Sequence, residues 1–198
     1  MTALLTATQH HRDVPDAIVA GVQAAQWPGM VLPQRRVAGF QVYPVVEIDE
    51  RAWTERITGR CGPEYVLSTL YVWESWTTDL GPMPPAPAVS IVGFVSDRRP
   101  ADARRALGAL SGLGAGLVVS SGARRPMPIT VMESDVAEMW AAWVPPGKPA
   151  QLLVRGRSGP AATARRLHLT RYFEELLFGW AVISHEVPVA WEWKKPTL

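Results

Sequence analysis

One cysteine in 198 residues rules out an internal disulfide and leaves too few thiolates for a cysteine zinc site. A chain so poor in cysteine is expected in the cytoplasm or inside a virion. Histidine is also scarce, with four residues. His10 and His11 are adjacent, but no Cys, Asp or Glu stands at a familiar ligand spacing from them, so neither a metal nor another cofactor is expected. No run of about 18 apolar residues is long enough to cross a membrane. Met1 to Gln9 lacks the basic flank and continuous apolar core of a signal peptide, and a membrane partner is not expected. The glycines Gly112 and Gly114 come before an apolar strand rather than after one, which excludes the dinucleotide fingerprint. Lysine is nearly absent: only Lys148, Lys194 and Lys195 stand among the 20 basic residues. That skew toward arginine fits a GC-rich genome, so arginine as such does not mark a ligand.

What is present suffices for a core. The chain is 47% hydrophobic and carries nine tryptophans, residues that suit cores and contact surfaces with one wet edge. The expected organisation is an N-terminal arm and helix over 1–34 followed by one α+β domain over 35–198. Lines of subdivision fall near 81–88, where Pro82, Pro84, Pro85 and Pro87 crowd, or near 121–127.

The stretch from Gln151 to Trp193 reads as a strand (Gln151 to Val154), a basic turn and a helix opened by Pro160 that runs to about Ser184. A strand alternating through Val187, Val189, Trp191 and Trp193 closes it. Leu169, Tyr172, Phe173, Leu176, Leu177, Trp180 and Ile183 share one sector of the helix and Leu167, Phe178 and Val182 the opposite one, so both sides are expected to be buried. His168, Arg171 and Glu175 form its remaining wet edge, with Arg171 and Glu175 one turn apart as an ion pair.

Earlier in the chain, Asp13 caps a helix bearing Ile18, Val19 and Val22. Val37 to Ile48 is a strand with an irregularity at Pro44, and Asp49 caps a helix carrying Ala52, Trp53 and Ile57. Pro63 and Glu64 resemble a helix start, but Tyr65 to Trp76 is assigned to a strand on its β-branched and aromatic content; a helix there would shift the reading toward a helical N-terminal part and a single α/β unit. Val89 to Val95 is a central strand, Pro100 opens a helix with Ala103, Leu107 and Leu110 inward, and Gly116 to Val119 is a strand. Pro128 to Met132 is read as a strand and Glu133 to Trp143 as a helix. From Val37 to Val119 this order is ferredoxin-like: strand, helix, strand, strand, helix, strand, in a sheet covered on one side by helices. The similarity of Pro100–Leu107 to Pro160–Leu167 raises an imperfect internal duplication of that unit.

Charge is unevenly placed. From Arg98 to Arg171, twelve basic residues face only Asp102, Glu133, Asp135 and Glu138, a net +8 in a chain whose total is +2. Two polar turns in this segment suit an anion: Arg155, Arg157, Ser158 and Gly159 ahead of the expected Pro160 helix, and Arg124 and Arg125 after Ser120. Catalytic candidates are few. Cys61 lies between Arg60 and Gly62 with no histidine nearby in sequence, and His168 and Glu175 can handle protons only if the helix turns them toward a pocket. No complete set of nucleophile, base and orienting group can be read out. The leading expectation is a non-catalytic binding or assembly protein, acting on a protein partner or on itself through a tryptophan-rich surface. The alternatives are nucleic-acid or polyanion binding through residues 98–171, and an enzyme acting on an anionic small molecule.

Overall fold

The strand Ala115–Ser120 shows how the layers lie. Ala115, Leu117 and Val119 join one apolar cluster, while Val118 and the Cα side of Gly116 meet another on the opposite face. A strand apolar on both faces must be covered on both, and it is. In the computed structural model, which describes residues 14–161 and 168–184, it is the fifth of seven strands.

In chain order the elements are α1 (Asp16–Ala24), β1 (Met30–Val31), β2 (Arg35–Val37), β3 (Phe40–Ile48), α2 (Glu50–Thr58), α3 (Leu67–Glu74), a 3₁₀ turn (Thr78–Leu80), β4 (Val89–Ser96), α4 (Pro100–Ala109), β5 (Ala115–Ser120), α5 (Pro128–Val136), β6 (Trp140–Trp143), β7 (Gln151–Val154) and α6 (His168–Ser184). The expected arm with His10 and His11, the Asp13 cap, Arg165 and Arg166, and the closing strand through Trp191 and Trp193 lie outside the described residues.

The protein is mixed α+β, with an open sheet ordered β1-β3-β4-β5-β6-β7 and β2 paired to the other half of β3. β4, β5 and β6 are mutually parallel; β3 and β7 run antiparallel to them. On one face α1 lays Ile18 and Val22 over Tyr43, Val45, Val95, Leu117 and Val119. Gly21 permits that approach, since a Cβ there would stand 2.6 Å from a Val119 methyl. On the other face α4 contributes Ala103, Ala106, Leu107 and Leu110, and α6 contributes Phe173 and Leu176. Leu177, Phe178, Ala181 and Val182 of α6 extend this layer over Val46 and Val89. The helices therefore cover both sides of the sheet rather than one.

Several local expectations hold. Asp49 caps α2, its Oδ1 accepting from the Ala52 amide at 2.9 Å. Pro100 opens α4, whose inward face is the expected Ala103 and Leu107 with Leu110 just beyond. The irregularity expected at Pro44 is a bulge between Val45 and Val46, and the Pro44 carbonyl accepts from the Leu32 amide at 2.8 Å.

Others are corrected. The segment Tyr65 to Trp76 contains a helix, α3. Among the described residues its β-prone side chains pair with no strand, and Leu70 is buried where α3 packs on α6. The order assumed for a ferredoxin-like unit therefore fails at its third element. The strand and helix expected over Pro128–Trp143 exchange places. Pro128 opens α5, the left-handed Glu138 (φ 53°) ends the connection, and β6 begins at Trp140. Pro160 and Ala161 are not helical, and the Ala161 amide donates to the Ser111 carbonyl at 2.8 Å, so the helix expected to open at Pro160 does not begin there. The parallel with the helix at Pro100, and with it the case for a duplication, goes no further than the sequence.

Candidate functional site

Glu175 is 1% exposed and lies on the side of α6 that faces α2 and α3. A carboxylate in such a place must be fully paired, because an isolated buried charge is far costlier than an exposed one. Its Oε1 accepts from Arg56 Nη1 at 2.6 Å and from Arg171 Nε at 3.0 Å; its Oε2 accepts from Arg56 Nη2 at 2.8 Å and from the Glu64 amide at 3.0 Å. Both arginines are buried as well. Arg56 also donates Nε to the Cys61 carbonyl and Nη2 to the Gly62 carbonyl, and rests over the Phe178 ring, 4.5 Å from its centroid. Arg171 donates to the Pro85 carbonyl and lies over Trp73. Burial lowers the Arg171 pKa from its ordinary value, an effect Glu175 opposes.

The outcome is a clamp. One carboxylate and two guanidinium groups tie α2, the turn after it, α3 and the proline connector to α6. The pairing of Arg171 with Glu175 was expected from their spacing, but as a wet edge; in the structure both are inside, and Arg56 is the member the sequence did not disclose. Arg56 lies on the inward face of α2 beside Ala52, and its placement there was the available signal. Tyr65 stands at the rim of the clamp, with its hydroxyl against Gly179. Burial first, and the neighbouring Glu175 second, push its pKa up to about 12.

With two donors on each oxygen, Glu175 has no acceptor site left for a substrate proton. The Cys61 thiol is exposed and donates to the Gly59 carbonyl at 3.7 Å; Arg56 approaches the Cys61 carbonyl, not its sulfur. His168 is the first described residue of α6, and its side chain lies outside those described. Among the described residues no group of His, Cys, Asp and Glu is arranged to hold a metal.

Outside the clamp the polarity reverses. Val66, Leu67, Tyr71 and Val72 of the α3 region, and Leu80 and Met83 of the connector, are all exposed by about half or more. No described tryptophan is fully exposed; Trp73 and Trp76 sit half-buried beside this surface, and Trp140 and Trp143 are anchors. Trp140 Nε1 donates to the Arg157 carbonyl and Trp143 Nε1 to the Gly122 carbonyl, both at 2.8 Å.

The two arginine turns are not brought together. β5 ends at Ser120, level with Trp143 and Gln151, whereas β7 ends at Val154, level with Ala141, so the turns occupy opposite ends of the sheet. At the β7 end, Arg157 bonds Glu138 at 2.6 Å, and Arg155 lies over Trp140. Arg155, Ser158 and Gly159 border a cleft of about 330 Å³ with Trp27, Trp140 and Glu47. Because Pro160 does not open a helix, no helix N-terminus among the described residues backs that turn. At the β5 end, Arg124 and Arg125 are exposed on a turn held by Trp143.

Comparison with known proteins returns no match: no family model, no curated protein and no solved structure is significantly similar to this chain. None of the described helices is long and apolar enough to cross a membrane.

Proposed function

We propose that this chain is a non-catalytic protein that binds or assembles with another protein through the outer face of α3 and the connector behind it. The observation that carries this reading is that α3 is apolar on nearly every side yet buries only Leu70. A short helix of that composition belongs inside a protein, so an uncovered one calls for a partner. The clamp supports the reading, because it fixes α3 and Pro85 in place, and a contact surface that is already ordered loses less entropy on binding. Glu64, Glu74 and Asp79 are the charged residues of this stretch, and no lysine or arginine occurs between Arg60 and Arg98. The partner face that fits is therefore apolar with basic residues at its margin. The tryptophans act as supports for this surface rather than as the surface itself.

A photo-reactive residue placed at Leu67 tests the reading in cells that make the protein, with the same residue at Arg51 on α2 as control. A discrete protein adduct at Leu67, absent at Arg51 and lost when Val72 is changed to Asp, is expected. Equal labelling at both positions, or none at Leu67, overturns it.

A further inference from the structure

The parallel strands β4, β5 and β6 all deliver their following loops to one end of the sheet, and the β2–β3 hairpin turns at the same end, since Tyr43 is level with Val95. This gathers basic residues that are far apart in sequence. Arg35 and Arg36 come from β2, Arg98 and Arg99 follow β4, Arg124 and Arg125 follow β5, and Lys148 lies in the β6–β7 turn. All seven are exposed, against Asp16, Asp97 and Asp102 at the same end. The basic residues of the 98–171 segment that are engaged internally are different ones: Arg104 with Glu133, Arg157 with Glu138 and Arg171 with Glu175. The N-termini of α1, α4 and α5 open at this end too, adding partial positive charge.

We infer that this end of the sheet binds the phosphate backbone of double-stranded nucleic acid. From β2 to the β6–β7 turn the basic row crosses the width of five strands, roughly 20 Å, which matches about six base steps of a duplex. Six of its seven members are arginine, whose planar fork suits phosphate oxygens. The aromatic side chains at this end, Phe40 and Trp143, are each partly covered, and Trp143 is held by its bond to the Gly122 carbonyl, so no fully exposed ring offers a platform for unstacked bases, and contact is to the backbone without sequence preference. The Trp143 bond to the Gly122 carbonyl holds the Arg124–Arg125 turn before any ligand arrives. Arg155 and Arg157, at the far end of the sheet, take no part.

The test is fluorescence anisotropy of a labelled DNA duplex with the full chain across a salt series. Log affinity is expected to fall linearly with log salt. Replacing Arg98 and Arg99 together with Gln should weaken binding about tenfold and reduce the slope by about two, as should the same change at Arg124 and Arg125. Arg155→Gln should leave affinity and slope unchanged, and matching thermal unfolding should show that all variants fold. Absence of binding at low salt overturns the inference, as does equal loss in the Arg155 variant. Binding to phosphatidylserine vesicles but not to DNA overturns it in favour of an anionic membrane surface. Tighter binding to single strands than to duplex also overturns it.

Discussion

The face of the sheet under α1 and the corner where α3 meets α6 are built on opposite rules. Under α1, Ile18, Val22, Leu117 and Val119 are inside and polar groups face water. At the corner Arg56, Arg171 and Glu175 are inside, while Leu67, Val72 and Met83 face out. The first arrangement stabilises, because apolar area leaves water. The second contributes little net stability, since pairing buried charges roughly offsets their desolvation. Its use is placement: charge-assisted bonds are directional, so three side chains hold five segments in one geometry. The apolar atoms that such a corner does not consume are left facing water, where the proposed partner would meet them.

The change that should disturb this contrast most is Glu175→Gln. It leaves two buried guanidinium groups facing an amide, and a loss of about 3–5 kcal/mol in urea unfolding is expected. A loss below about 1 kcal/mol would mean that the corner tolerates unpaired charge and that the clamp does not hold it. Next comes Leu117→Ala on the opposite rule. It removes methyl groups from a fully buried site, and about 3 kcal/mol should be lost with α3 undisturbed. Hydrogen exchange separates the two variants: protection in α3 should fall with Glu175→Gln and persist with Leu117→Ala.

Legibility in the sequence follows the same division. Wherever one short-range signal decided, the elements could be read. Asp49 caps α2, Pro100 opens α4, Ala103, Leu107 and Leu110 form an inward stripe, and the apolar runs at Val89 and Gln151 are strands. Reading failed where a distant contact decided. Tyr65 to Trp76 has strand-forming side chains, and what makes it a helix is α6, about a hundred residues away, which buries Leu70 and sets Arg171 over Trp73. Trp140 was assigned to a helix because the left-handed Glu138 leaves no mark in composition. At the site, the spacing of Arg171 and Glu175 was visible; Arg56, 119 residues from its partner, was not. The basic end of the sheet was half visible. Its arginines were countable, but Arg35 and Arg36 joined them, and Arg155 and Arg157 left, only once strand directions were known.

Alkali sharpens the contrast from the side of the clamp. Tyr65 is half-buried beside Glu175, and its pKa rises from the ordinary 10.0 to about 12. The folded state thus holds the phenolic proton more tightly than the unfolded chain does. The associated stability is present below the unfolded value of 10.0 and is lost as pH climbs from there toward about 12. Urea midpoints should fall over that window and fall less in Tyr65→Phe, whose ring keeps the packing and has no proton to lose. Parallel curves for the two proteins would show that neither burial nor the buried carboxylate raises the tyrosine's pKa.

The smallest effect is expected where the two rules differ most, at the apolar side chains that face water. Leu67 and Met83 are 53% and 61% exposed, so less than half of each side chain is buried on folding and exchanging both for Ser forfeits little burial. Ser also suits the first turn of a helix, where Leu67 stands. The double variant should therefore unfold within about 1 kcal/mol of the parent, with the Tyr65 titration unchanged, while the adduct formed at this surface disappears. A larger loss would show that these residues are core seen edge-on. The corner would then follow the same rule as the face under α1, and the case for a partner on α3 would fall with it.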